Sequence, residues 1–452
     1  MAYTVTTSTD GDARDGDGES LHPELVIAFE CERPSARPER HALDDVDLVV
    51  IGRMDERTAV RDVHKGMRRL RVGVPDRRMS QEHARLVRAR NHWVLEDAGS
   101  KNGTLHNGVR APRATLDDGD LVETGRTLLM YREVPAHTSV ANLPPGLATF
   151  DPSLASAFTG LARVARSQVP VMLFGETGTG KEVTARALHE LSGRSGPLVA
   201  VNCGALPATL LEATLFGHRR GAFSGAVESR PGLIRSADRG TLFLDEIGEL
   251  PATAQAALLR ALQEQEVLPV GEETPVQVDL RVCTATNRDL SALVAAGQFR
   301  RDLYARLAGL TVRLPPLRER RADLGLLIGV LLERLRAPTS VKFTPSAARA
   351  MFMHDWPLNI RGLEKHLATA MALAGDEPID VHHFPEPLTP ATRAVPVEEL
   401  SAEERLHRDE LISALEAHGG NVAAVARVFG KGRQQIHRWA ERYGISLAAF
   451  RR

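Results

Sequence analysis

The sequence lacks both a cysteine framework and a dominant charge. Its 452 residues include three cysteines, Cys31, Cys203 and Cys283. They are far apart and odd in number, which excludes a disulfide scaffold or a cysteine-rich zinc site and suits a reducing cytosol. The formal net charge is −1. This balance neither favours nor excludes a nucleic-acid partner, because a small basic module can be hidden in a neutral total.

The sequence also lacks a long apolar run. The longest, which begins near Leu324, is too short to span a bilayer, and the N-terminus has no basic segment followed by an apolar one. We therefore expect a soluble cytoplasmic protein with no membrane partner. The composition that remains, 43% hydrophobic and 25% charged, is that of an ordinary globular protein. The length suggests about three domains.

Three polar segments divide the chain. Residues 6–20 are small, polar and acidic, and are predicted to be disordered. Other polar, proline-containing stretches surround residues 135–145 and follow Pro385. The blocks between them contain short alternating apolar runs, then strands alternating with helices, then a short helical tail. The sequence thus predicts three modules and two linkers.

The first block contains closely spaced strand-like runs, such as ELVIAFE, DLVVIGR and HWVLEDA, and these predict an all-β sandwich. Its loops carry the motifs IGR, SQEH and GSKNGTLHNG. In these motifs Arg53, Ser80 and Asn102 offer guanidinium, hydroxyl and amide donors, which suit a phosphate dianion. The alternative is a sandwich in which Arg53 only forms a surface ion pair.

Together the three motifs resemble the forkhead-associated (FHA) domain over residues 25–135. The resemblance implies that Arg53 and Ser80 hold a phosphothreonine, that Asn102 binds the peptide backbone and that His83 braces the loops. The N-terminal tail offers a candidate ligand, because Thr7 and Thr9 each precede an aspartate by three residues, a spacing similar to that of peptides this family prefers. The alternative is that the tail is an inert solubilising leader.

The second block begins with a nucleotide-binding pattern. The apolar strand VPVMLF is followed at once by GETGTGKE and then by a helical pattern. The glycines let backbone amides surround a phosphate, and Lys181 neutralises its charge. Further on, GTLFLDEIGEL is an apolar strand that ends in Asp245 and Glu246, which suit magnesium positioning and activation of water. Glu182 stands where the general motif has a magnesium-binding Ser or Thr.

This block resembles the central AAA+ domain of bacterial enhancer-binding proteins, which activate sigma-54 RNA polymerase. The resemblance covers residues 148–387 and rests on GETGTGKE, VNCGALPATLLEATLFGHRRGAFSGA, GTLFLDEIGEL, FRRDLYARL, LPPLRER and WPLNIRGL, in this order. It implies an ATPase that works as a ring, a hexamer, with Mg²⁺ held by Asp245 and the ATP phosphates. In that family glutamate is the usual residue after the P-loop lysine, as Glu182 is here. The implied ATP-binding residues are Gly175, Glu176, Thr177, Gly178, Thr179, Gly180, Lys181, Glu182, Thr286, Asn287 and Arg361.

The resemblance also assigns catalytic roles. Asn202 would sense the γ-phosphate through Glu246, and Thr286 and Asn287 would be a second sensor. Arg300 and Arg306 would reach the nucleotide of a neighbouring subunit, so that hydrolysis needs an oligomer. Leu358 and Gly362 stand where the family usually has Gly and Glu.

The sequence GAFSGA resembles the GAFTGA loop by which this family contacts sigma-54. The loop comprises Gly221, Ala222, Phe223, Ser224, Gly225 and Ala226. Its glycines permit movement, and Phe223 would be the contact aromatic. Ser224 keeps the hydroxyl of threonine but loses its methyl, so we expect weaker engagement of sigma-54 without its loss.

The tail has apolar residues on one face of two helices joined around Gly430, which is helix-turn-helix spacing. It resembles the Fis-like DNA-binding domain of enhancer-binding proteins. The residues then expected on the exposed start of the recognition helix are Arg433, Gln434, Gln435, His437 and Arg438. The alternative is a small helical oligomerisation hairpin.

The expected fold is therefore multidomain: an all-β FHA sandwich, an α/β AAA+ P-loop ATPase with a helical lid, and an all-α helix-turn-helix. The predicted boundaries are a disordered acidic tail (1–24), FHA domain (25–135), linker (136–147), α/β ATPase (148–322), lid (323–387), linker (388–402) and DNA-binding domain (403–452).

The function expected from this arrangement is an ATP-hydrolysing transcription activator. It would bind enhancer DNA, assemble as a homo-oligomer from dimer to hexamer, and remodel sigma-54 RNA polymerase. Its FHA domain would read phosphothreonine from Ser/Thr kinase signalling. One alternative is a phosphothreonine-dependent DNA-binding adaptor whose ATPase does not remodel sigma-54. Another, a clamp loader or protease-type AAA+ machine, gives no reason for the GAFSGA loop.

Overall fold

A computed structural model gives the fold of the chain. It describes residues 21–90, 92–135, 145–205, 207–222, 226–388, 402–418, 422–429, 436, 439–440, 443 and 445. These residues form two compact units, and the smaller contains Met353–Asp355 and the chain from Leu388 onward. No helix among the described residues is long and apolar enough to cross a membrane.

The N-terminal module is a β-sandwich, as its alternating sequence predicts. One sheet has the order β2-β1-β12-β11-β8-β9 and the other β10-β7-β6-β3-β5-β4. The inward side chains of both sheets form one core, which includes Leu25, Ile51, Leu86 and Tyr131. The strands are β1 (Leu21–Glu30), β2 (Glu39–Ala42), β3 (Leu48–Arg53), β4 (Thr58–His64), β5 (Met67–Val74), β6 (Ala84–Ala89), β7 (His92–Asp97), β8 (Thr104–His106), β9 (Val109–Arg110), β10 (Arg113–Leu116), β11 (Leu121–Thr124) and β12 (Thr127–Pro135).

Two predicted boundaries need correction. The tail was expected to run to residue 24, but β1 begins at Leu21 and its first four residues pair with β12. The linker was expected to run to residue 147, but Leu147 is buried in the ATPase core beside Phe158 and Leu188. Both errors have one cause, which is that the pairing of Leu21 with Pro135 and the burial of Leu147 depend on residues far along the chain.

The ATPase module is built on a parallel five-stranded sheet of order β14-β15-β18-β13-β19. Its strands are β13 (Val171–Phe174), β14 (Leu198–Asn202), β15 (Thr241–Asp245), β18 (Arg281–Thr286) and β19 (Leu310–Arg313), and a separate hairpin is formed by β16 (Glu266–Val267) and β17 (Val276–Gln277). The helices are α1 (Pro152–Val164), α2 (Lys181–Ser192), α3 (Ala208–Phe216), α4 (Leu233–Ser236), α5 (Ala252–Glu264), α6 (Leu290–Ala295) and α7 (Arg301–Leu307). Because the strands are parallel, their carboxyl ends share one edge, where α/β proteins bind ligands.

The lid contains α8 (Leu324–Arg334), α9 (Pro345–Met353) and α10 (Asn359–Ala374). Trp356 lies between α9 and α10 and is 1% exposed, and its indole nitrogen donates to the Met351 carbonyl at 3.0 Å. This bond fixes the turn between the two helices.

The C-terminal unit is described in part and includes α11 (Ala402–Ala417) and α12 (Val422–Val428). Its buried cluster contains Leu411, Leu415, Val425, Ile436 and Tyr443. The apolar face predicted for the tail is thus buried in its described residues. The predicted start of a recognition helix, residues 433–438, lies outside the described residues except for Ile436.

Candidate functional site

The P-loop connects β13 to α2 at the carboxyl edge of the sheet. Gly178 and Gly180 have φ angles of +80° and +106°, which residues with a side chain rarely adopt. Lys181 begins α2 and is 7% exposed, and its ammonium donates to the carbonyls of Gly175 at 2.9 Å and Glu176 at 3.2 Å. The loop therefore encloses a buried cation at a helix N-terminus, an arrangement that suits a polyphosphate.

The neighbouring strand ends bring three polar residues to the same edge. Asn202 and Asp245 are paired in register at the ends of β14 and β15. Glu246 follows in a left-handed conformation, with φ of +53°, and its amide donates to the Asp245 carboxylate at 3.1 Å. A non-glycine residue in this conformation is strained, a feature that is common at functional sites.

The predicted sensor residues end β18, next to the P-loop strand. Thr286 is fully buried, and its carbonyl accepts a hydrogen bond from the Gly175 amide at 3.2 Å. Its hydroxyl accepts from the Arg288 amide at 3.0 Å. Asn287, the next residue, is exposed. The structure therefore places Thr286 directly against the start of the P-loop.

The lid contacts the P-loop through the start of α10. The Ile360 amide donates to the Gly178 carbonyl at 2.9 Å, and the buried Asn359 amide group donates to the Thr177 carbonyl at 3.0 Å. Arg361 is the next residue, and its Cβ lies beside Gly178. Movement of the lid must therefore disturb the P-loop.

A polar cluster missed by the sequence analysis joins the same two parts. Arg318 forms two hydrogen bonds with the Glu176 carboxylate, at 2.6 and 3.0 Å, and Asn359 donates to the same carboxylate at 3.1 Å. The bonds from Arg318, and then that from Asn359, lower the pKa of Glu176 below its ordinary value. Both partners lie in motifs that were recognised, LPPLRER and WPLNIRGL, but nothing in those motifs points to residue 176.

The two departures from the family pattern in the lid contact each other. A side chain at Gly362 would place its Cβ 3.1 Å from the Cβ of Leu358, a close approach. The larger residue at 358 therefore fits because residue 362 has no side chain. We infer that the two changes compensate one another.

The two arginines predicted to act between subunits are exposed on or beside α7. Arg300 pairs with Asp302 at 2.6 Å, and this pairing raises the pKa of Arg300. Arg306 donates to the Leu262 carbonyl at 3.0 Å. Their exposure leaves both guanidinium groups accessible from outside this chain.

The GAFSGA loop is described only at its base. The Gly221 amide donates to the Ala226 carbonyl at 2.9 Å, which closes the loop, and the Ala222 amide donates to Arg219 at 3.1 Å. Phe223, Ser224 and Gly225 lie outside the described residues, as do the predicted DNA-binding residues Arg433, Gln434, Gln435, His437 and Arg438.

The three FHA motifs meet at one end of the sandwich. The Arg53 amide donates to the Ser80 carbonyl at 2.8 Å, and the Ser80 hydroxyl accepts from the Lys101 amide at 3.1 Å. The Asn102 side chain donates to the Arg78 carbonyl at 2.6 Å. The backbone thus gathers the three predicted residues, while the side chains of Arg53 and Asn102 remain exposed.

His83 lies beneath these loops and is fully buried. Its Nδ1 accepts from the Ser80 amide at 3.0 Å and its Nε2 contacts the Gly103 carbonyl at 3.2 Å, which assigns the proton to Nε2. Burial lowers the pKa of His83 below its ordinary value of 6.5, so the ring is neutral at pH 7. The ring joins two of the three loops from below.

The described residues contain no group of three or more His, Cys, Asp or Glu side chains that could hold a metal ion by themselves. A magnesium ion at this site would therefore need ligands from the nucleotide as well as from Asp245. Glu182 lies on the first turn of α2, is exposed and pairs with Arg186 at 3.3 Å. These residues fit a magnesium–nucleotide complex better than a resident metal.

The AAA+ and FHA modules match known family models. The sigma-54 interaction domain matches residues 147–313, the AAA+ ATPase lid domain residues 318–399 and the FHA domain residues 49–125.

Curated relatives share the ATPase region. The acetoin catabolism regulatory protein of Cupriavidus necator is 43% identical over 70% of this chain and half of its own length. The transcriptional regulatory protein ZraR of Salmonella typhimurium is 42% identical over 71% of this chain and 74% of its own length. A crystal structure of NtrX from Brucella abortus in complex with ADP is 30% identical, with 67% of this chain and 70% of that chain covered at a TM-score of 0.49. The chain belongs to the sigma-54-dependent transcriptional regulators and carries an FHA domain ahead of its AAA+ ATPase domain.

Proposed function

We propose that this chain hydrolyses ATP to remodel sigma-54 RNA polymerase at promoters, under the control of phosphothreonine binding. The observation that carries the proposal is the convergence of Lys181, Asp245 and Glu246 at one edge of a sheet in the sigma-54 interaction domain. That edge holds a phosphate-binding cation and two carboxylates, the residue types that phosphoryl transfer to water needs.

Each residue of the site has a separate role in ATP hydrolysis. The P-loop amides and Lys181 bind the phosphates, and Asp245 holds magnesium with them. Glu246 polarises the attacking water, and Asn202 orients Glu246. Arg300 and Arg306 of a neighbouring subunit stabilise charge on the phosphates. Their exposure supports this role, because an arginine that acts between subunits must be accessible.

The residues that contact sigma-54 and DNA lie outside the described residues. Phe223 of the GAFSGA sequence contacts sigma-54, and the hydrogen bond that joins Gly221 to Ala226 at the base of the loop supports this role. Arg433, Gln434, Gln435, His437 and Arg438 bind enhancer DNA. Subunits assemble from dimers into hexameric rings, since each site takes arginines from its neighbour.

The FHA domain is the input. Arg53 and Ser80 hold the phosphate of a phosphothreonine protein or a Ser/Thr kinase, and Asn102 binds the peptide backbone. Support comes from the Arg53 and Asn102 side chains, which are exposed at the loop ends above the buried His83.

The experiment that tests the proposal is ATP-dependent open-complex formation by the full chain on a sigma-54 promoter. Lys181→Ala should strongly lower the rate of hydrolysis and prevent promoter opening, whereas Phe223→Ala should prevent opening alone. Val330→Ala removes an apolar side chain that is 46% exposed in the lid, and it should change neither. Hydrolysis without opening by the unaltered chain would contradict the proposal and favour the adaptor function.

A further inference from the structure

The FHA domain and the lid share an apolar interface. Phe29 of β1 packs against Phe343, with ring centroids 5.4 Å apart and nearly perpendicular planes, and against Phe352 of α9 at 5.9 Å. All three rings are at most 3% exposed. The Phe343 amide also donates to the Cys31 carbonyl at 2.9 Å. These contacts fix β1 of the FHA domain against the lid.

Charged groups complete the interface. Arg349 of α9 forms two hydrogen bonds with the Glu123 carboxylate of β11, at 2.6 and 3.0 Å. The Glu123 side chain is 3% exposed, so the pair is largely removed from water on the FHA side. Lys342 pairs with Glu32 at 2.8 Å. A buried carboxylate that lost its partner would be costly, and therefore Glu123 favours the docked arrangement.

The two backbones also approach closely. A Cβ at Gly325, in the first turn of α8, would collide with the carbonyl oxygen of Ala28 in β1. Such an approach requires glycine at this position. Domains joined only by a linker have no need of this fit, so the interface is specific.

Hydrogen bonds lead from this interface to the FHA recognition loops. The Asp76 carboxylate accepts from the Arg126 amide at 2.6 Å and from the Thr127 hydroxyl at 3.0 Å, and these residues follow Glu123 closely. The same carboxylate accepts from the Arg78 amide at 2.8 Å. The Arg78 carbonyl in turn accepts from Asn102. Asp76 therefore joins the recognition loop to the segment that binds the lid.

The lid carries the connection onward to the nucleotide site. α9 holds Phe352 and Arg349 against the FHA domain, and the Trp356 indole donates to the Met351 carbonyl of the same helix. The Asn359 amide donates to the Trp356 carbonyl at 2.7 Å, and the next amide, that of Ile360, binds the P-loop. One short stretch of the lid thus contacts the FHA domain at one end and the P-loop at the other.

We propose that the lid face formed by Gly325, Phe343, Arg349 and Phe352 is a docking surface for the chain's own FHA domain, through which phosphothreonine binding and nucleotide binding alter each other. The proposal rests on the proposed function for the identity of the two ligands. Such coupling is reciprocal, so a nucleotide at the P-loop must affect the FHA recognition loops as much as a phosphopeptide affects the P-loop. The nucleotide side is the easier to test.

The test is amide hydrogen exchange of the full chain with and without ATPγS, a slowly hydrolysed ATP analogue. We expect saturating nucleotide to change exchange about fivefold or more at FHA residues 76–80 and 100–103. In the double variant F343A/R349A this change should disappear, while nucleotide protection of the P-loop persists. Arg349→Lys keeps a positive charge without the two-bond geometry and should give an intermediate change. Arg349→Lys also tests the coupling if the double variant F343A/R349A does not fold.

The matched control is Arg334→Ala, which removes an ion pair with Glu364, at 3.4 Å, between two lid helices. It should leave the response of the recognition loops intact. Unchanged FHA exchange in the saturated wild-type chain, or an equal change in the double variant, would overturn the coupling. The readout needs nucleotide binding alone, so failure of promoter opening leaves it intact, whereas failure of ATPγS to bind would overturn the proposed function and the coupling together.

Discussion

The two candidate phosphate-binding sites are built in opposite ways. In the P-loop the cation Lys181 is buried, and backbone carbonyls of the loop accept its hydrogen bonds. The group that would bind phosphate therefore also holds the loop in its conformation. In the FHA loops Arg53 and Asn102 are exposed, while the separate, buried His83 provides the support. The difference teaches that the P-loop cannot change without cost to local structure, whereas the candidate site in the FHA loops can lose its exposed side chains and remain folded.

Replacement of Lys181 tests the buried side of this comparison and has the largest expected effect. Lys181→Ala should lower the steady-state ATPase rate about 10²-fold to 10³-fold, because a preorganised cation at the transferred phosphate is lost. Arg186→Ala, on an exposed face of the same helix, should retain the rate. An ATPase rate within a few-fold of wild type in Lys181→Ala would contradict the role of this residue.

Replacement of Arg53 tests the exposed side. Arg53→Ala should weaken capture of phosphothreonine peptides from a library by about 10-fold to 150-fold, since a charge-assisted bond contributes about 1.5–3 kcal/mol. The melting temperature should not change. Arg113→Ala, which removes an exposed FHA arginine in another strand, is the control. Loss of folding in Arg53→Ala would contradict the conclusion that this site can be altered while the FHA domain remains folded.

Asn359 links the lid to the P-loop and should be structural as well as functional. Asn359→Ala should lower the free energy of unfolding by about 2–3 kcal/mol, because a fully buried amide loses its bonds to Leu317, Glu176 and Thr177. Its φ of +53° adds strain for alanine. Asn359→Gly relieves that strain, so its free energy of unfolding, measured in urea, should fall less than that of Asn359→Ala. Equal losses would show that backbone conformation contributes nothing.

The pair Leu358 and Gly362 sharpens the comparison within the lid. Gly362→Glu should destabilise the chain by about 1–2 kcal/mol, because the new Cβ would crowd Leu358. The double variant L358G/G362E, which restores the usual family residues, should recover much of this loss in thermal unfolding. If the double variant is less stable than Gly362→Glu, the two positions do not compensate.

Acidification should weaken the FHA support. The pKa of His83 is lowered in the folded chain from 6.5, so the folded state binds fewer protons than the unfolded state. The stability that depends on His83 is complete above pH 6.5 and is lost as the pH falls below it. Urea unfolding should show a lower free energy of unfolding at pH 5.5 than at pH 7.5. His83→Gln should lack this pH dependence.

Sequence reasoning succeeded where neighbours in the chain act together. The P-loop is a contiguous strand, loop and helix, and its context was visible without a structure. The FHA motifs could be placed in loops because alternating apolar runs marked the strands between them. Family resemblance then supplied roles that no residue pattern gives, such as those of Arg300 and Arg306, which remain predictions.

Long-range partners were not visible. Arg318 and Glu176 are 142 residues apart, and Arg349 and Glu123 are 226 apart. Each is an ordinary charged residue in its local sequence, and only the packing of modules pairs them. The same limitation explains the error at Leu21, whose strand pairing depends on β12, and the error at Leu147, whose burial depends on strands and helices far along the chain.

The close fit of Gly325 against Ala28 has a practical consequence for dissecting the protein. A fragment that begins after the FHA domain would expose Phe343 and Phe352, which are now 2% exposed, and leave Arg349 without its carboxylate. Such a fragment would expose an apolar patch that favours aggregation. The FHA domain thus covers an apolar surface of the lid, and replacing it with another module would require a new surface on the lid.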